Sequence, residues 1–255
     1  MIERILFMHI HKTAGTAMSK QLFSHWPGHQ ICPARFECQV LRIDPVQLSQ
    51  FTIFFGHITP AALAPVVGPL KYMTILREPR TRLLSAYFFW KDIAARSQNN
   101  GFFRRLRDLS LLEFLQSNDP LIWRATWNVQ ARLIAGGRYG ATNDCRTNVF
   151  GPQGSPEEIS RAAMSGLDRF ELVGIAEHYL DTMALAFRLQ GDEIQPPAPE
   201  LHNVGANKPE GGYEPFLADA RIAAALERLT DIDVQIYEAA SARLSRQLRH
   251  ESRQV

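Results

Sequence analysis

The feature that most constrains the fold is a short apolar run near the start of the chain, followed directly by a loop of small residues and a helical pattern. Residues 4–10 (RILFMHI) are almost continuously apolar, which is typical of a strand buried on both faces of a parallel sheet. Residues 11–16 (HKTAGT) form the loop. Residues 17–25 have helical periodicity and end before Trp26-Pro27-Gly28, a cluster that breaks helices. This order of strand, tight loop and helix predicts an α/β protein.

The same alternation continues along the chain. We predict further strands at 51–55, 72–76 and 170–175. Helices are expected at 61–67, about 80–95 with Pro79 in the first turn, 109–116, 121–135, 156–165 capped by Ser155, 176–190, and 218–248 in two pieces around Thr230-Asp231. Residues 136–156 are predicted to form a long irregular segment, because they are rich in glycine, asparagine and proline. Strands that alternate with helices predict a central parallel sheet flanked by helices on both faces, a three-layer sandwich.

Composition excludes several classes of protein. The chain has 255 residues and a formal net charge of +2, so the protein as a whole is no electrostatic match for nucleic acid. Its cysteines, Cys32, Cys38 and Cys145, are odd in number and lack the paired spacing of a disulfide framework or a zinc site. No apolar run is long enough to cross a membrane, and the start lacks a signal-peptide pattern. These patterns indicate a cytoplasmic protein without a metal.

The loop at 11–16 has the features of an anion site. Small residues let backbone N–H groups approach an oxyanion, and the following helix adds its dipole and its unpaired donors. Lys12 supplies a positive charge, and Thr13 and Thr16 supply hydroxyl groups. Ligands of parallel sheets bind beyond the carboxyl ends of the strands. The loop at 77–82 also follows a predicted strand, so we expect both loops to face one crevice.

The loop departs from the phosphate-binding motif of nucleotide hydrolases, G-x-x-x-x-G-K-[ST]. Lys12 precedes the single glycine, Gly15, and the predicted strands end in His57 and Arg77 rather than in aspartate. A metal-dependent nucleotide hydrolase is therefore disfavoured. Taken alone, the loop also fits a plain strand–turn–helix with an exposed lysine.

Two segments together resemble one enzyme family. Residues 9–19 (HIHKTAGTAMS) resemble the 5′-phosphosulfate loop of carbohydrate sulfotransferases that use 3′-phosphoadenosine 5′-phosphosulfate (PAPS), and residues 74–89 (TILREPRTRLLSAYFF) resemble their 3′-phosphate segment. The branch most similar is the heparan/uronyl 2-O-sulfotransferase-like group. Weaker similarity follows at Gly56-His57, 127–136 (WNVQARLIAG), 170–182 (FELVGIAEHYLDT) and 202–209 (HNVGANKP).

The resemblance implies a fold, a reaction and a set of residues. The fold is similar to the P-loop nucleotide hydrolases, as a single sulfotransferase domain over 1–255 in which 97–165 form a helical or irregular insertion on the acceptor side. PAPS is the expected co-substrate and PAP the product, without a metal. His57 and Lys12 are the expected catalytic residues. The expected donor-binding residues are His11, Lys12, Thr13, Ala14, Gly15, Thr16, Ala17, Arg77, Ser85, Asn207 and Lys208.

The chemistry of the donor agrees with this assignment. PAPS carries a 3′-phosphate that ATP lacks, and Arg77 can form charge-assisted bonds to it while Ser85 donates its hydroxyl. The alternative is that Arg77 pairs with Glu78 or another carboxylate and that Ser85 is simply a residue on the helix surface. The imidazole of His57 can accept the proton of the acceptor hydroxyl. The alternative is that His57 has only a structural role. His11 is a second candidate for the base.

The acceptor is less well defined by the sequence. Residues 101–107 (GFFRRLR) can meet an anionic glycan, and Trp123 and Trp127 can stack on a sugar. A solvated basic face and core packing are the alternatives. We expect a small-molecule or glycan acceptor, no nucleic acid partner, and a monomer or a homodimer. Two other functions stay open: an atypical ATP-dependent kinase of a small metabolite, and a catalytically inactive nucleotide-binding protein.

Overall fold

The computed structural model describes residues 4–24, 26–96, 101–140, 149–151, 154–191 and 208–251. The strands are β1 (Ile5–Met8), β2 (Ile53–Gly56), β3 (Lys71–Leu76), β4 (Arg138–Tyr139), β5 (Val149–Phe150) and β6 (Leu172–Ile175). The helices are α1 (Gly15–Phe23), α2 (Glu37–Val40), α3 (Pro45–Leu48), α4 (Pro60–Val67), α5 (Pro79–Arg96), α6 (Gly101–Leu106), α7 (Leu111–Leu115), α8 (Pro120–Thr126), α9 (Val129–Ile134), α10 (Pro156–Gly166), α11 (Tyr179–Leu189), α12 (Glu214–Ala218) and α13 (Ala220–Glu251), with 3-10 turns at Gly28–Gln30, Leu167–Arg169 and Ala176–His178.

The central sheet is parallel and has the order β2-β1-β3-β6 among the described residues. Met8, the last residue of β1, lies opposite Gly56 of β2 and Thr74 of β3. The strands therefore end at the same edge of the sheet. The loops that follow β1, β2 and β3 meet there, as expected for a parallel sheet.

The sheet is covered on both faces. Leu6 and Phe54 pack with helices α2, α3 and α4, whereas Ile5 and Phe7 pack with α1, α9, α10, α11 and α13. Alternate residues of a strand point to opposite faces, so β1 contributes to two cores. The expected α/β three-layer sandwich with a central parallel sheet is confirmed.

A second helical cluster lies beside the sheet layers. Helices α5, α6, α7 and α8 pack with α12 and the first half of α13, while α9 and α10 join the core next to the sheet. The helices within 97–165 thus belong to two different clusters. No helix in the described ranges is both long enough and apolar enough to span a membrane.

The predicted helix at 121–135 is wrong as a single element. Helix α8 ends at Thr126 and α9 begins at Val129. Between them Asn128 adopts a left-handed conformation with φ of 42°, a backbone state that asparagine tolerates better than most residues. The chain therefore turns at a residue that the apolar periodicity did not reveal.

The predicted division of the last helix at Thr230-Asp231 is also wrong, since α13 continues over 32 residues. Asn128 supplies the reason. Its Oδ1 accepts hydrogen bonds from the N–H groups of Ile232 and Asp233, both at 3.0 Å, and its own N–H donates to Leu229 O at 2.8 Å. A buried side chain from another element thus satisfies the backbone groups at the point where the sequence predicts a break.

We expect Asn128→Ala to lower the free energy of unfolding by about 3 kcal/mol, because it leaves two buried N–H groups without their acceptor. Denaturant unfolding measures this change. Ser160→Ala is the matched control, because Ser160 Oγ donates to Gln235 Oε1 on the solvent side of α13 and its loss is expected to cost less than about 0.5 kcal/mol. Equal losses in the two variants would contradict the role given to Asn128.

Candidate functional site

The loop between β1 and α1 has an unusual backbone. Lys12 and Ala14 are both left-handed, with φ of 65° and 66°, which costs a residue other than glycine about 1 kcal/mol. The first intrahelical bond runs from Met18 N–H to Ala14 O at 3.1 Å. The N–H groups of residues 15–17 therefore precede the hydrogen-bond ladder of α1. Within the described residues, no side chain caps the N-terminus of α1, and its first turn contains no acidic residue. Helix N-termini that bind anions have the same free N–H groups.

The side chains of the loop divide into two groups. Thr13 is fully buried and its hydroxyl donates to Ile10 O at 2.9 Å. In this structure the hydroxyl therefore stabilises the loop, and contact of Thr13 with a phosphate stays a prediction. Gly15 packs against His9, because a Cβ at this position would lie 2.2 Å from the imidazole ring. Thr16 is exposed and Ala17 is buried in the first turn. The donors that remain here are backbone N–H groups and the Thr16 hydroxyl.

The second predicted segment meets the first. Arg77, just after β3, donates from Nη1 to the carbonyl oxygen of Lys12 at 3.2 Å. The alternative pair with Glu78 is not formed, because the Glu78 carboxylate accepts from Arg80 Nε at 3.0 Å and from Thr81 N–H at 2.8 Å, at the start of α5. Within the described residues, no carboxylate pairs with the Arg77 guanidinium.

Lys12 and Arg77 form a local excess of positive charge. The Lys12 ammonium lies 4.1 Å from the centre of the Phe89 ring. Burial, and then the positive charge of Arg77, lower the pKa of Lys12 from its usual value. Each of the two positive charges thus destabilises the charged form of the other, and a bound anion between them would stabilise both.

Two of the remaining residues predicted to bind the nucleotide donor, Ser85 and Lys208, are described by the structure, and both lie on or near α5. Ser85 is in the second turn of α5 and is 8% exposed. Lys208 is exposed, with its ammonium 5.6 Å from the Tyr213 ring, and Tyr213 stacks on Phe88 of α5 at 6.2 Å. Asn207 lies outside the described residues. Contact of Ser85 and Lys208 with a donor stays a prediction.

Three histidine rings form a stack at the ends of β1 and β2. The His57 ring lies 3.8 Å from that of His11 and 4.6 Å from that of His9, between ring centres. His57 Nδ1 lies 2.7 Å from the carbonyl oxygen of His9. A carbonyl only accepts, so Nδ1 carries the proton and the lone pair of the neutral ring is on Nε2. Tyr139 donates to the same oxygen at 2.9 Å and fixes its position.

Two of these histidines, His9 and His11, follow the end of β1. Burial, followed by the charge of the neighbouring His57, lowers the pKa of both His9 and His11 well below the usual range. A base of such low pKa accepts a proton poorly at pH 7. The structure thus places both predicted candidates, His57 and His11, in one stack.

Two residues that the sequence did not assign hold the turn between β3 and α5. Gln130 accepts from Arg77 N–H and donates to Arg77 O, both at 3.0 Å. Glu177 accepts from Glu78 N–H at 3.0 Å and from the Tyr237 hydroxyl at 3.1 Å. Both lie in segments that the resemblance includes, 127–136 and 170–182. The sequence resemblance therefore pointed to the segments that contain Gln130 and Glu177, but it assigned no role to either residue.

The residues considered for the acceptor are occupied by protein contacts. Trp123 and Trp127 stack on each other at 4.7 Å, with the Arg132 guanidinium 5.2 Å from the Trp123 ring. Phe102 is buried and Arg105 pairs with Asp119 at 2.6 Å. These contacts fit the alternative of packing better than a free sugar platform, although Trp123 stays 41% exposed.

The sequence matches no protein-family profile and no curated protein. Within the residues described, no group of three or more His, Cys, Asp or Glu side chains is arranged to hold a metal ion.

We expect Ala14→Gly to raise the free energy of unfolding of the unliganded protein by about 1 kcal/mol, because glycine adopts a positive φ without the steric cost that alanine has. Ala242→Gly, at an exposed position inside α13, is the control and is expected to lower it by a similar amount. Urea unfolding of both variants measures the two signs. A loss of stability in Ala14→Gly would show that the loop is not strained.

Proposed function

We propose that the chain transfers a sulfuryl group from PAPS to an acceptor hydroxyl. The observation that carries this proposal is the hydrogen bond from Arg77 to the Lys12 carbonyl at 3.2 Å. It joins the two segments that resemble the 5′-phosphosulfate loop and the 3′-phosphate segment of the sulfotransferases. A nucleotide phosphorylated at both ends needs two neighbouring anion sites, whereas ATP needs one continuous phosphate site.

The proposed donor site uses backbone and side-chain groups at its two ends. The N–H groups of residues 15–17 and the Lys12 ammonium bind the 5′-phosphosulfate, where the helix terminus adds positive potential. Arg77 binds the 3′-phosphate with charge-assisted bonds, and Ser85 donates its hydroxyl to it. Lys208 supports the nucleotide from the α5 side, and the resemblance assigns Asn207 to the same nucleotide.

The proposed reaction is an in-line displacement at sulfur. The acceptor oxygen forms a bond to sulfur while the bond from sulfur to the 5′-phosphate oxygen breaks. The acceptor proton goes to Nε2 of His57, and PAP leaves with its 5′-phosphate charge stabilised by Lys12. Such transfers depend chiefly on positioning and on charge stabilisation, and both are supplied here by the chain itself.

His57 suits the role of general base better than His11. The hydrogen bond from His57 Nδ1 to His9 O directs the lone pair of its ring to Nε2. The same bond stabilises the cation formed when Nε2 takes a proton. Burial, and then neighbouring positive charge, lower the pKa of His11, which weakens it as a proton acceptor.

The acceptor class and the setting follow from the resemblance and the composition. We propose a carbohydrate hydroxyl as the acceptor, on a small molecule or a glycan, and a cytoplasmic location. The oligomeric state, monomer or homodimer, stays a prediction.

PAP is expected to raise the melting temperature without Mg²⁺, and more than ADP or ATP does, because a ligand that binds the native state alone stabilises it by about 2.7 kcal/mol at 100 times its Kd. Thermal unfolding with PAP, ADP and ATP, each with and without Mg²⁺, makes the comparison. Stabilisation by ATP that requires Mg²⁺, with none by PAP, would instead favour the kinase.

A pair of arginine variants sharpens this experiment. Arg77→Met is expected to abolish most of the stabilisation by PAP. Arg80→Met is the matched control, because Arg80 is 54% exposed and bonds to Glu78, and it should keep the full stabilisation. Equal responses of the two variants would remove Arg77 from the donor site.

We expect His57→Ala to lower the rate of PAP release from PAPS, with desulfated polysaccharides as acceptors, by roughly 100- to 10,000-fold, the usual contribution of a general base. The Kd for PAP should stay within about threefold, since the ring does not bind the phosphates. His29→Ala, at an exposed histidine of the first 3-10 turn, should change neither quantity. Full turnover in His57→Ala would place the base elsewhere.

A further inference from the structure

We propose that Gln130 is the positioning residue that aims Arg77 at the 3′-phosphate, and so sets how strongly this chain prefers a 3′-phosphorylated nucleotide. The proposal rests on the proposed function, because it concerns the donor site described above. The Gln130 carboxamide is neutral and is not assigned to either phosphate; it acts through the backbone of Arg77.

The contact between the two residues is bidentate. The Gln130 carboxamide accepts from the N–H of Arg77 and donates to its carbonyl oxygen, both at 3.0 Å. These two bonds are what a neighbouring strand would supply at the end of β3. The pairing of β3 with β6 ends at Leu76 opposite Ile175, one residue before Arg77. Gln130 thus extends the ordered edge of the sheet by the residue that carries the guanidinium.

Gln130 is itself fixed from behind. It is fully buried, and the N–H of the next residue, Ala131, donates to the carboxylate of Asp233 on α13 at 2.7 Å. The preceding Asn128 bonds to the same turn of α13 through its backbone and side chain. The amide that holds Arg77 is therefore anchored to the longest helix of the protein.

A fixed backbone matters for the Arg77 side chain in particular. A guanidinium binds a phosphate with two parallel hydrogen bonds only when its plane is correctly oriented and its position is correct to about half an ångström. Lys12 holds the far end of the side chain through its carbonyl oxygen, and Gln130 holds the near end. Without the two hydrogen bonds from Gln130, the Arg77 backbone can move. The guanidinium then stays bonded to Lys12 but has no fixed direction toward the nucleotide.

The test compares the affinities of PAP and of AMP, which lacks the 3′-phosphate. In the wild-type protein, calorimetric titration gives the ratio Kd(AMP)/Kd(PAP). We expect Gln130→Met, which keeps the volume but removes both hydrogen bonds, to reduce this ratio about tenfold, equivalent to about 1.4 kcal/mol. The Kd for AMP should stay within about twofold, and a merely structural loss would weaken both ligands together.

Thr182→Val is the matched control. Thr182 Oγ1 accepts from Ile175 N–H at 3.0 Å and donates to Ile175 O at 3.2 Å, the same grip on the end of the neighbouring strand. Its loss should lower stability and leave the ratio unchanged. If Gln130→Met does not fold, Gln130→Glu keeps the shape and still removes the donor to Arg77 O, so the same fall in the ratio is expected.

Two results separate the failure of this inference from that of the proposed function. A wild-type protein that binds PAP no more tightly than AMP contradicts the proposed donor. A wild-type preference for PAP that persists unchanged in Gln130→Met and Gln130→Glu overturns the role of Gln130 alone.

Discussion

The hydrogen bond between the Arg77 guanidinium and the Lys12 carbonyl is the interaction on which the functional site depends. It joins two loops that are 65 residues apart in the chain and follow adjacent parallel strands. Because β1 and β3 end at the same edge of the sheet, the bond needs only short loops. It also leaves two positive groups side by side without a carboxylate between them in the described residues. Electrostatics thus makes the unliganded site costly and favours a polyanion.

The surrounding polar groups keep this arrangement rigid. Gln130 holds the backbone of Arg77, and Glu177 holds that of Glu78. Both segments connect to α13, since Ala131, next to Gln130, donates to Asp233 and Tyr237 donates to Glu177. Buried groups of this kind are costly unless each has a partner. The long helix therefore acts as a common support for the turn that follows β3, and the helical packing far from the loops determines the geometry of the site.

The sequence predicted the features that depend on local pattern. The four strands of the parallel sheet, the loop at 11–16 and the start of α5 at Pro79 follow from apolar runs, small residues and a proline, and the structure has them within about two residues. The short antiparallel pair β4 and β5 was missed, because 136–156 was predicted to be irregular. It failed where a distant side chain decides the outcome. Asn128 ends a predicted helix and continues another. Gln130 and Glu177 were visible as part of a resemblance, but their roles depend on tertiary contacts that no periodicity reports.

The most direct test of the account is phosphorus NMR of PAP, whose 3′- and 5′-phosphates give separate resonances. The account predicts that both resonances shift when the wild-type protein is added. In Arg77→Met the shift of the 3′-phosphate should be lost while that of the 5′-phosphate persists, and in Lys12→Met the 5′-phosphate should lose most of its shift. A wild-type protein that perturbs only the 5′-phosphate, or neither resonance at millimolar PAP, would contradict the claim that the two loops together bind a nucleotide phosphorylated at both ends.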